Sequence, residues 1–522
     1  MKKITYIIVS LMLVANYSFG QGEVEANQFS RGDLNGTARA VSMGGAFGAL
    51  GGDLTGVAIN PAGIAVYRSS EIAGTAVFTS EKFKVGDISN SKNKFNVNNM
   101  GFVGYFPTRN YNVPVVNFGF SYNKVKSFDK EIGAFGANRG SSLTDYMSFQ
   151  SDGVNPDILN FDEDDDTVDP FKSGAPWLSV LGYGSFLINP NNDNIYSSLL
   201  SEGERVDNSL FISESGSIDT YDFTVGTSIN NVLNLGVSLS ITDINYRLNS
   251  QNSEDFEPGG GSGFDLKNLL ATDGNGVGVK LGLIYRPVNA FRFGLSYQSP
   301  TWYSMTDRYS SSILANVSHY YDDITEDIET YSAEFRNDYD FKTPDKWTAS
   351  AAAVLGTNMI LSLDYEFSNY KNMKFSEPSG SNYPSNYFAD DNNIISTDFK
   401  VASTVRTGFE YRFTPQFSGR LGYAWMQNPY DTDFKSNGDA VVSGAATAYR
   451  MEGDANYFTG GIGYRFNRNF YADLALVYKT QKDDLYSFPN VYYDTGESFI
   501  NAAPYELTNN SFRGLLTLGY RF

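Results

Sequence analysis

From residue 219 onward the chain alternates apolar and polar side chains with a period of two. No other feature restricts its fold as much. Tyr221, Phe223, Val225, Thr227 and Ile229 share one face, and Asp222, Thr224, Gly226, Ser228 and Asn230 the other. Leu233 to Ile241, Val277 to Tyr285, Phe291 to Tyr297, Leu361 to Phe367 and Val405 to Phe413 repeat the pattern. Period two is the signature of strands. A soluble sandwich also alternates, but its polar face rarely combines so much glycine with charge. One apolar face and one polar, glycine-rich face is what a transmembrane barrel requires, with lipid outside and water inside.

The connections sharpen this reading. Tight ones fall at 107–112, 230–232, 286–289, 356–358, 413–416 and 466–469. Long ones fall at roughly 81–96, 124–218, 250–272, 301–344, 371–397, 429–454 and 481–508. Short and long alternate throughout, which predicts an all-β, 14-stranded antiparallel transmembrane barrel with short turns on one rim and long loops on the other. Four strands approaching the short-turn rim end alike, at Tyr285-Arg286, Tyr411-Arg412, Tyr464-Arg465 and Tyr520-Arg521. Parity places each tyrosine against lipid at headgroup level and each arginine toward water.

The N-terminus supplies an address. Met1-Lys2-Lys3, the apolar run Ile4 to Val14 and the small residues Ser18 and Gly20 read as a signal peptide over 1–20. No later stretch approaches the ~18 uninterrupted apolar residues of a membrane helix. Residues 21–69 are then expected to form a plug and 70–522 the barrel, in the outer membrane of a Gram-negative bacterium.

Composition excludes more than it selects. The net charge of −20 disfavours nucleic acid. The absence of cysteine removes disulfides, thiolate metal sites and cysteine nucleophiles, and the single histidine, His319, removes multi-histidine sites. No cofactor or metal is expected. His319 has no nucleophile motif such as G-x-S-x-G beside it, so a hydrolase is disfavoured. Asp162-Glu163-Asp164-Asp165-Asp166 lacks the glycine of a calcium loop and reads as a solvated acidic loop.

Residues 21–69 break the alternation and are rich in Gly and Ala. Gly44 to Gly52 is no phosphate loop, since no strand plainly precedes it and no G-K-[ST] follows. Small residues instead permit close backbone packing in a confined space. Gly36-x-x-Arg39-Ala40, Met43-Gly44-Gly45-Ala46, Asp53 and Asn60-Pro61-Ala62-Gly63 together resemble the N-terminal hatch of the FadL/TodX family of outer-membrane transporters for hydrophobic compounds. Leu361-Ser362-Leu363-Asp364-Tyr365, Arg406-Thr407-Gly408-Phe409-Glu410-Tyr411 and Arg420-Leu421-Gly422-Tyr423-Ala424 resemble its strands. The resemblance spans 30–522. It implies a hatch containing Arg39, Gly44, Gly45, Asp53, Asn60, Pro61, Ala62 and Gly63. It also implies capture of a hydrophobic small molecule, such as a long-chain fatty acid, by extracellular loops, and lateral exit into the bilayer. The alternative within the family is a scaffold for protein secretion, which would need no closed apolar cavity above the hatch.

Within the long 124–218 connection, the apolar stretch Ala175 to Ile188 offers Trp177, Leu178, Leu181 and Phe186 as ligand contacts, or as that loop's own core. Pro114 removes a ladder donor and falls near the third strand, where family members open the wall; a gap is expected there. Inward Arg406, Glu410, Arg412 and Arg465 are expected to form lumen ion pairs that grip the hatch. Expected partners are the ligand, outer-membrane lipid and lipopolysaccharide, and the outer-membrane assembly machinery, which would read the terminal Phe522. A plugged closed barrel needs no subunit for stability, so a monomer is expected.

Overall fold

The computed structural model describes residues 22–160, 169–201, 203–256, 261–381, 383–384, 386–442, 444–492 and 498–522. The expected signal peptide and the acidic run 162–166 lie outside the described residues.

Fourteen antiparallel strands form one closed wall. In order around the ring they are β1 (Glu71–Val85), β2 (Ile88–Pro107), β3 (Val115–Ser127), β5 (Val206–Ile229), β6 (Leu233–Phe256), β7 (Gly263–Val288), β8 (Phe291–Gln298), β11 (Lys346–Leu355), β12 (Met359–Asn369), β13 (Val401–Arg412), β14 (Phe417–Met426), β15 (Ala455–Arg465), β16 (Phe470–Tyr486) and β17 (Tyr505–Arg521). The strands missing from that order, β4 (Lys130–Arg139), β9 (Trp302–Asn316) and β10 (Phe335–Lys342), extend the wall beyond the membrane. The ring closes where β17 pairs with β1 from Leu507↔Val85 to Arg521↔Glu71. Ser70 and Phe522 then exchange backbone hydrogen bonds of 3.1 and 3.0 Å. Closure is obligatory, because lipid offers no partner to a free strand edge.

Alternation sorts the faces as expected. Phe223, Leu239, Leu281, Phe293, Leu363, Leu476 and Leu516 are exposed on the outside, while Thr224, Ser238, Ser240, Asp364 and Thr517 are buried inside. Tyr285, Tyr411, Tyr464 and Tyr520 ring the short-turn rim, each on the exposed face. The tight 230–232 connection works because Asn230 and Asn231 both adopt positive φ, +52° and +57°, which matches the twist of the strands it joins.

The long connections hold more strand than expected, two of them almost to the turn. The 81–96 segment is not a loop: β1 and β2 stay paired up to Val85↔Ile88 and turn at Gly86, φ +55°. Likewise β6 and β7 remain paired to Asp255↔Gly263. The 26 residues of β7 far exceed the roughly 9–11 that cross a bilayer. The wall therefore rises past the lipid as a paired collar, and polar alternation in that collar is what made it read as loop. Helices α4 (Leu143–Ser151) and α5 (Trp177–Gly184) fold over the collar's mouth as a cap.

Pro114 also falls elsewhere. Hydrogen-bonded pairing is continuous from Val115↔Pro107 on one side of β3 and Val115↔Ser228 on the other. Pro114 sits in the short turn, its carbonyl accepting from Thr108 N, so the missing proline donor costs the ladder nothing and opens no gap.

Placing arginine on the lipid face tests the inside–outside assignment. Leu281→Arg should lower unfolding stability in lipid vesicles by about 2–4 kcal/mol. An unchanged denaturant midpoint would show that position 281 does not face hydrocarbon.

Candidate functional site: a plugged lumen and a broken wall

The N-terminal segment packs inside the barrel. It runs through α1 (Glu23–Ser30), α2 (Ala38–Ser42), α3 (Leu54–Ile59) and a 3-10 turn at Pro61–Val66. Short helices in a confined lumen need their free N–H groups capped by side chains. Thr37 Oγ1 caps α2 and donates to Asp53 at 2.8 Å, while Asp53 caps α3 by accepting from Thr55 N at 2.9 Å. Asn60 Oδ1 accepts from Ala62 N, and its amide donates to Gly48 O (2.7 Å) within the hatch and Leu283 O (3.1 Å) in the wall. Pro61 fixes the start of the 3-10 turn, which packs into the wall with Pro61, Ala62 and Gly63 buried.

Glycines on hatch and wall meet backbone to backbone. Gly44 and Gly45 hold φ of +64° and +77°. A Cβ on wall residue Gly422 would lie 2.1 Å from Gly44 N, one on Gly408 2.6 Å from Met43 O, and one on Gly236 2.3 Å from the Pro61 carbonyl carbon. The glycine-rich inner face thus serves as a seat for the plug as well as a wetted surface.

One charge network locks the plug. Arg39 on α2 pairs with Glu410 on β13 at 3.1 Å; Glu410 also holds Arg420 on β14 at 2.7 Å, and Arg420 holds Asp473 on β16 at 2.6 Å. Arg406 instead pairs with Glu366 on β12 at 2.8 Å, beside Gly45. Arg412 and Arg465 do not grip the hatch: Arg412 donates to Thr357 O at the short-turn rim, and Arg465 forms no side-chain ion pair among the described residues. Both stand at the last position of their strands, below the level of Glu410. Arg420 and Asp473 were missed, although their inward parity at lipid depth was a usable signal.

The wall does break beside β3, at the end opposite to Pro114. Pairing between β2 and β3 stops at Asn99↔Asn123, and residues 88–98 of β2 have only β1 as a ladder partner. Two bulges cause the parting. Register slips between Thr75 and Ala76 opposite Asn98, and between Lys124 and Lys126 on β3. A bulge bends its strand and frees its polar groups. The hatch takes those groups up. Asn98 donates to Gly36 O at 3.0 Å, while Val125 O accepts from Asp33 N at 3.0 Å and from Asn35 at 3.2 Å. β3 ends at Ser127, and β4 departs alongside β5. Among the described residues only side chains bridge the opening, through ion pairs Lys92–Glu131 (3.1 Å) and Lys94–Asp129.

A chamber lies between this opening and the hatch. Nine basic and four acidic side chains line it, in a chain of net charge −20. Most of the bases are ion-paired. Lys126 is not: its Nζ donates to Gln28 O at 2.9 Å. Arg513 donates to Asn35 Oδ1 at 2.9 Å, and its Nε and Nη2 are buried without a hydrogen-bond partner among the described residues. Asp33, at the chamber floor, is pushed up by burial but held below the ordinary carboxylate range by Lys479 and Arg513. Above, sharing Lys130, Arg450 and Glu452, a second cavity is walled largely by apolar side chains such as Val24, Ile132, Ile212, Leu248 and Leu270. Glu25 faces it from α1, and burial raises that carboxyl to about 7.

The expected ligand contacts sit higher still. Trp177, Leu178 and Leu181 on α5 are fully buried in the cap's core, with the Trp177 ring 4.6 Å from Tyr309. Phe186 alone is exposed, at φ +58°, edge-on to Tyr321. Apolar composition singled out the stretch; its helical packing, invisible to strand parity, turned three of the four inward.

A closed fourteen-stranded wall, a lumen plug and lipid-facing aromatic rims define an outer-membrane channel. Residues 215–514 match the outer membrane protein transport family (OMPP1/FadL/TodX), and the chain belongs to that family of transporters of hydrophobic compounds. A FadL homologue from Pseudomonas aeruginosa shares the fold at 11% identity and TM-score 0.54, covering 94% of this chain and 100% of that one. The Pseudomonas putida toluene transporter TodX matches at 12% identity and TM-score 0.50, covering 94% and 99%. No curated protein matches in sequence.

Removing the lock should unseat the plug. Glu410→Ala leaves Arg39 and Arg420 buried without their shared anion, a loss of about 3–5 kcal/mol. Ion conductance of single barrels in planar bilayers should rise. Gly422→Val should do the same by steric contact alone. Conductance equal to wild type in both would remove the plug from its assigned seat.

Proposed function

We propose that the chain takes up hydrophobic small molecules with an acidic head, such as long-chain fatty acids, from the cell surface into the outer membrane. The observation that carries this reading is the cationic chamber's continuity with a second cavity above it, in which Val24, Ile132, Ile212, Leu248 and Leu270 stand beside Glu25, Glu214 and Glu452. A carboxylate head would sit between Lys126 and Arg513, where charge-assisted hydrogen bonds are strongest in a water-poor site. Its alkyl chain would lie along Val24, Ile212 and Leu248. A neutral hydrocarbon would leave Arg513 unsatisfied and gain only from the upper cavity.

The route follows from the same geometry. Phe186, on the accessible cap surface, would meet ligand first, while Trp177, Leu178 and Leu181 hold the cap together. The ligand would then pass down to the chamber. The hatch, fixed by the Asn60-Pro61-Ala62-Gly63 turn and the Arg39 lock, blocks the direct path to the periplasm. The opening between β2 and β4 offers a sideways path instead, at the base of the collar where the wall meets the lipid surface, once the Lys92–Glu131 and Lys94–Asp129 pairs part. Export by residues 1–20 and assembly through Phe522 complete the reading.

Binding of a long-chain fatty acid and of a matched alkane to purified protein tests it. Wild type should prefer the acid, and Lys126→Gln/Arg513→Gln should lose at least tenfold in acid affinity with alkane binding unchanged, since each charge-assisted bond is worth roughly 1.5–3 kcal/mol. Equal binding of acid and alkane by wild type would overturn the acidic-head reading.

A further inference from the structure

The short-turn mouth of the barrel carries a charge that transport of a hydrophobic solute does not call for. Its turns and strand ends (68–71, 105–115, 229–233, 286–292, 355–359, 411–417, 464–470 and 520–522) contain eight arginines, no lysine and one carboxylate, Glu71. Glu71 is buried and committed to Arg521 and to Tyr471, which donates to it at 2.9 Å. Among the described residues, Arg68, Arg286, Arg292, Arg412, Arg465 and Arg468 form no ion pair. Four of them reach only backbone carbonyls or amides: Arg68 donates to Ala65 O, Arg286 to Asn231 O at 2.7 Å, Arg292 to Leu50 O at 2.8 Å and Arg412 to Thr357 O. These bonds fix the side chains without neutralising them.

The arginines also face one another. Arg465 lies within electrostatic reach of Arg39, Arg412 and Arg521, and Arg292 of Arg39 and Arg286. Glu410, a carboxylate within electrostatic reach of Arg465, is already shared by Arg39 and Arg420. Like charges gathered at one mouth repel, and a fold keeps such an arrangement at a cost that a bound anion would remove. Arginine in place of lysine throughout favours planar, bidentate recognition of carboxylate or phosphate.

Parity identifies the partner. The outward positions beside these arginines are Tyr285, Phe291, Tyr411, Tyr464 and Tyr520, all exposed on the lipid face. Arg286, Arg292, Arg412, Arg465 and Arg521, on the strands themselves, therefore belong to the lumen face and point away from inner-leaflet headgroups. Arg412 on β13, Arg465 on β15, Arg468 in the next turn and Arg521 on β17 span four strand spacings, about 20 Å at ~4.8 Å each. That is too wide for a single phosphate. A cleft lined by Gln416, Arg465, Asn467, Arg468 and Arg521 runs between two adjacent turns.

We propose that this mouth is a docking site for an acidic segment of a soluble periplasmic polypeptide, held by carboxylate–guanidinium pairs. It is independent of which ligand the chamber above the hatch accepts.

The test uses full-length protein in phosphatidylcholine nanodiscs with a fluorescent ten-residue glutamate peptide as probe and a ten-residue lysine peptide as control. Fluorescence anisotropy should show binding of the glutamate peptide alone at low salt, weakening at least tenfold between 50 and 300 mM salt. Arg465→Gln/Arg468→Gln, which removes two side chains without hydrogen-bond partners among the described residues, should weaken binding at least tenfold while the barrel still migrates as folded without heating. Arg465→Lys/Arg468→Lys should restore part of it. Three results would overturn the proposal. The first is binding unchanged in the glutamine variant. The second is full competition by inorganic phosphate at the same charge concentration, which would mean a single-anion site. The third is loss of binding when phosphatidylglycerol replaces part of the nanodisc lipid, which would assign the arginines to headgroups.

Discussion

Every backbone N–H and C=O at membrane depth must find a partner within the protein, because hydrocarbon supplies none. That constraint closes the ladder from β1 to β17 and sets the strand count. It also explains why the break beside β3 takes the form it does. Where β2 and β3 part, the freed polar groups are not left bare. Asp33 N and the Asn35 side chain donate to Val125 O, and Gly36 O accepts from the Asn98 side chain, so the hatch backs the opening. Plug and opening are one hydrogen-bonded unit, and a movement of segment 33–36 must be felt at the edge of the wall.

The same economy governs charge. The outer surface at lipid depth is apolar, and the ionic groups at that level point inward, where they are paired across strands. The Arg39–Glu410–Arg420–Asp473 chain ties the plug to three strands at once. Removing Glu410 leaves Arg39 without an ion-pair partner and Arg420 with Asp473 alone, and a buried network of this kind fixes position more than it adds stability. Above the hatch the balance tips to positive, although the chain as a whole is acidic. Charge is thus sorted by height along the barrel.

Much of this was legible from residue order. Parity over Tyr221–Ile229 and Val277–Tyr285, with the alternation of turn lengths, was enough for the fold, the rims and the inward arginines. The hatch was legible because its glycines and Asn60-Pro61-Ala62-Gly63 break the period. What stayed hidden depends on pairing between distant strands. The bulges at Asn98 and Val125 leave no mark in either strand alone, so Pro114, the one visible irregularity near β3, drew attention to the wrong end. The collar above the membrane read as loop because both its faces are polar. Trp177, Leu178 and Leu181 stayed open between ligand contact and loop core because a helix inside a loop region obeys neither period for long.

The central claim is that ligand leaves through the opening that the hatch supports. The chain has no cysteine, so Lys92→Cys/Glu131→Cys provides a unique pair across that opening for a short bismaleimide. Fatty-acid uptake by proteoliposomes containing this variant, measured before and after bridging, tests the claim directly. The account predicts that bridging stops uptake while either single-cysteine variant, treated alike, stays active. Uptake unaffected by the bridge would contradict it and place the exit elsewhere.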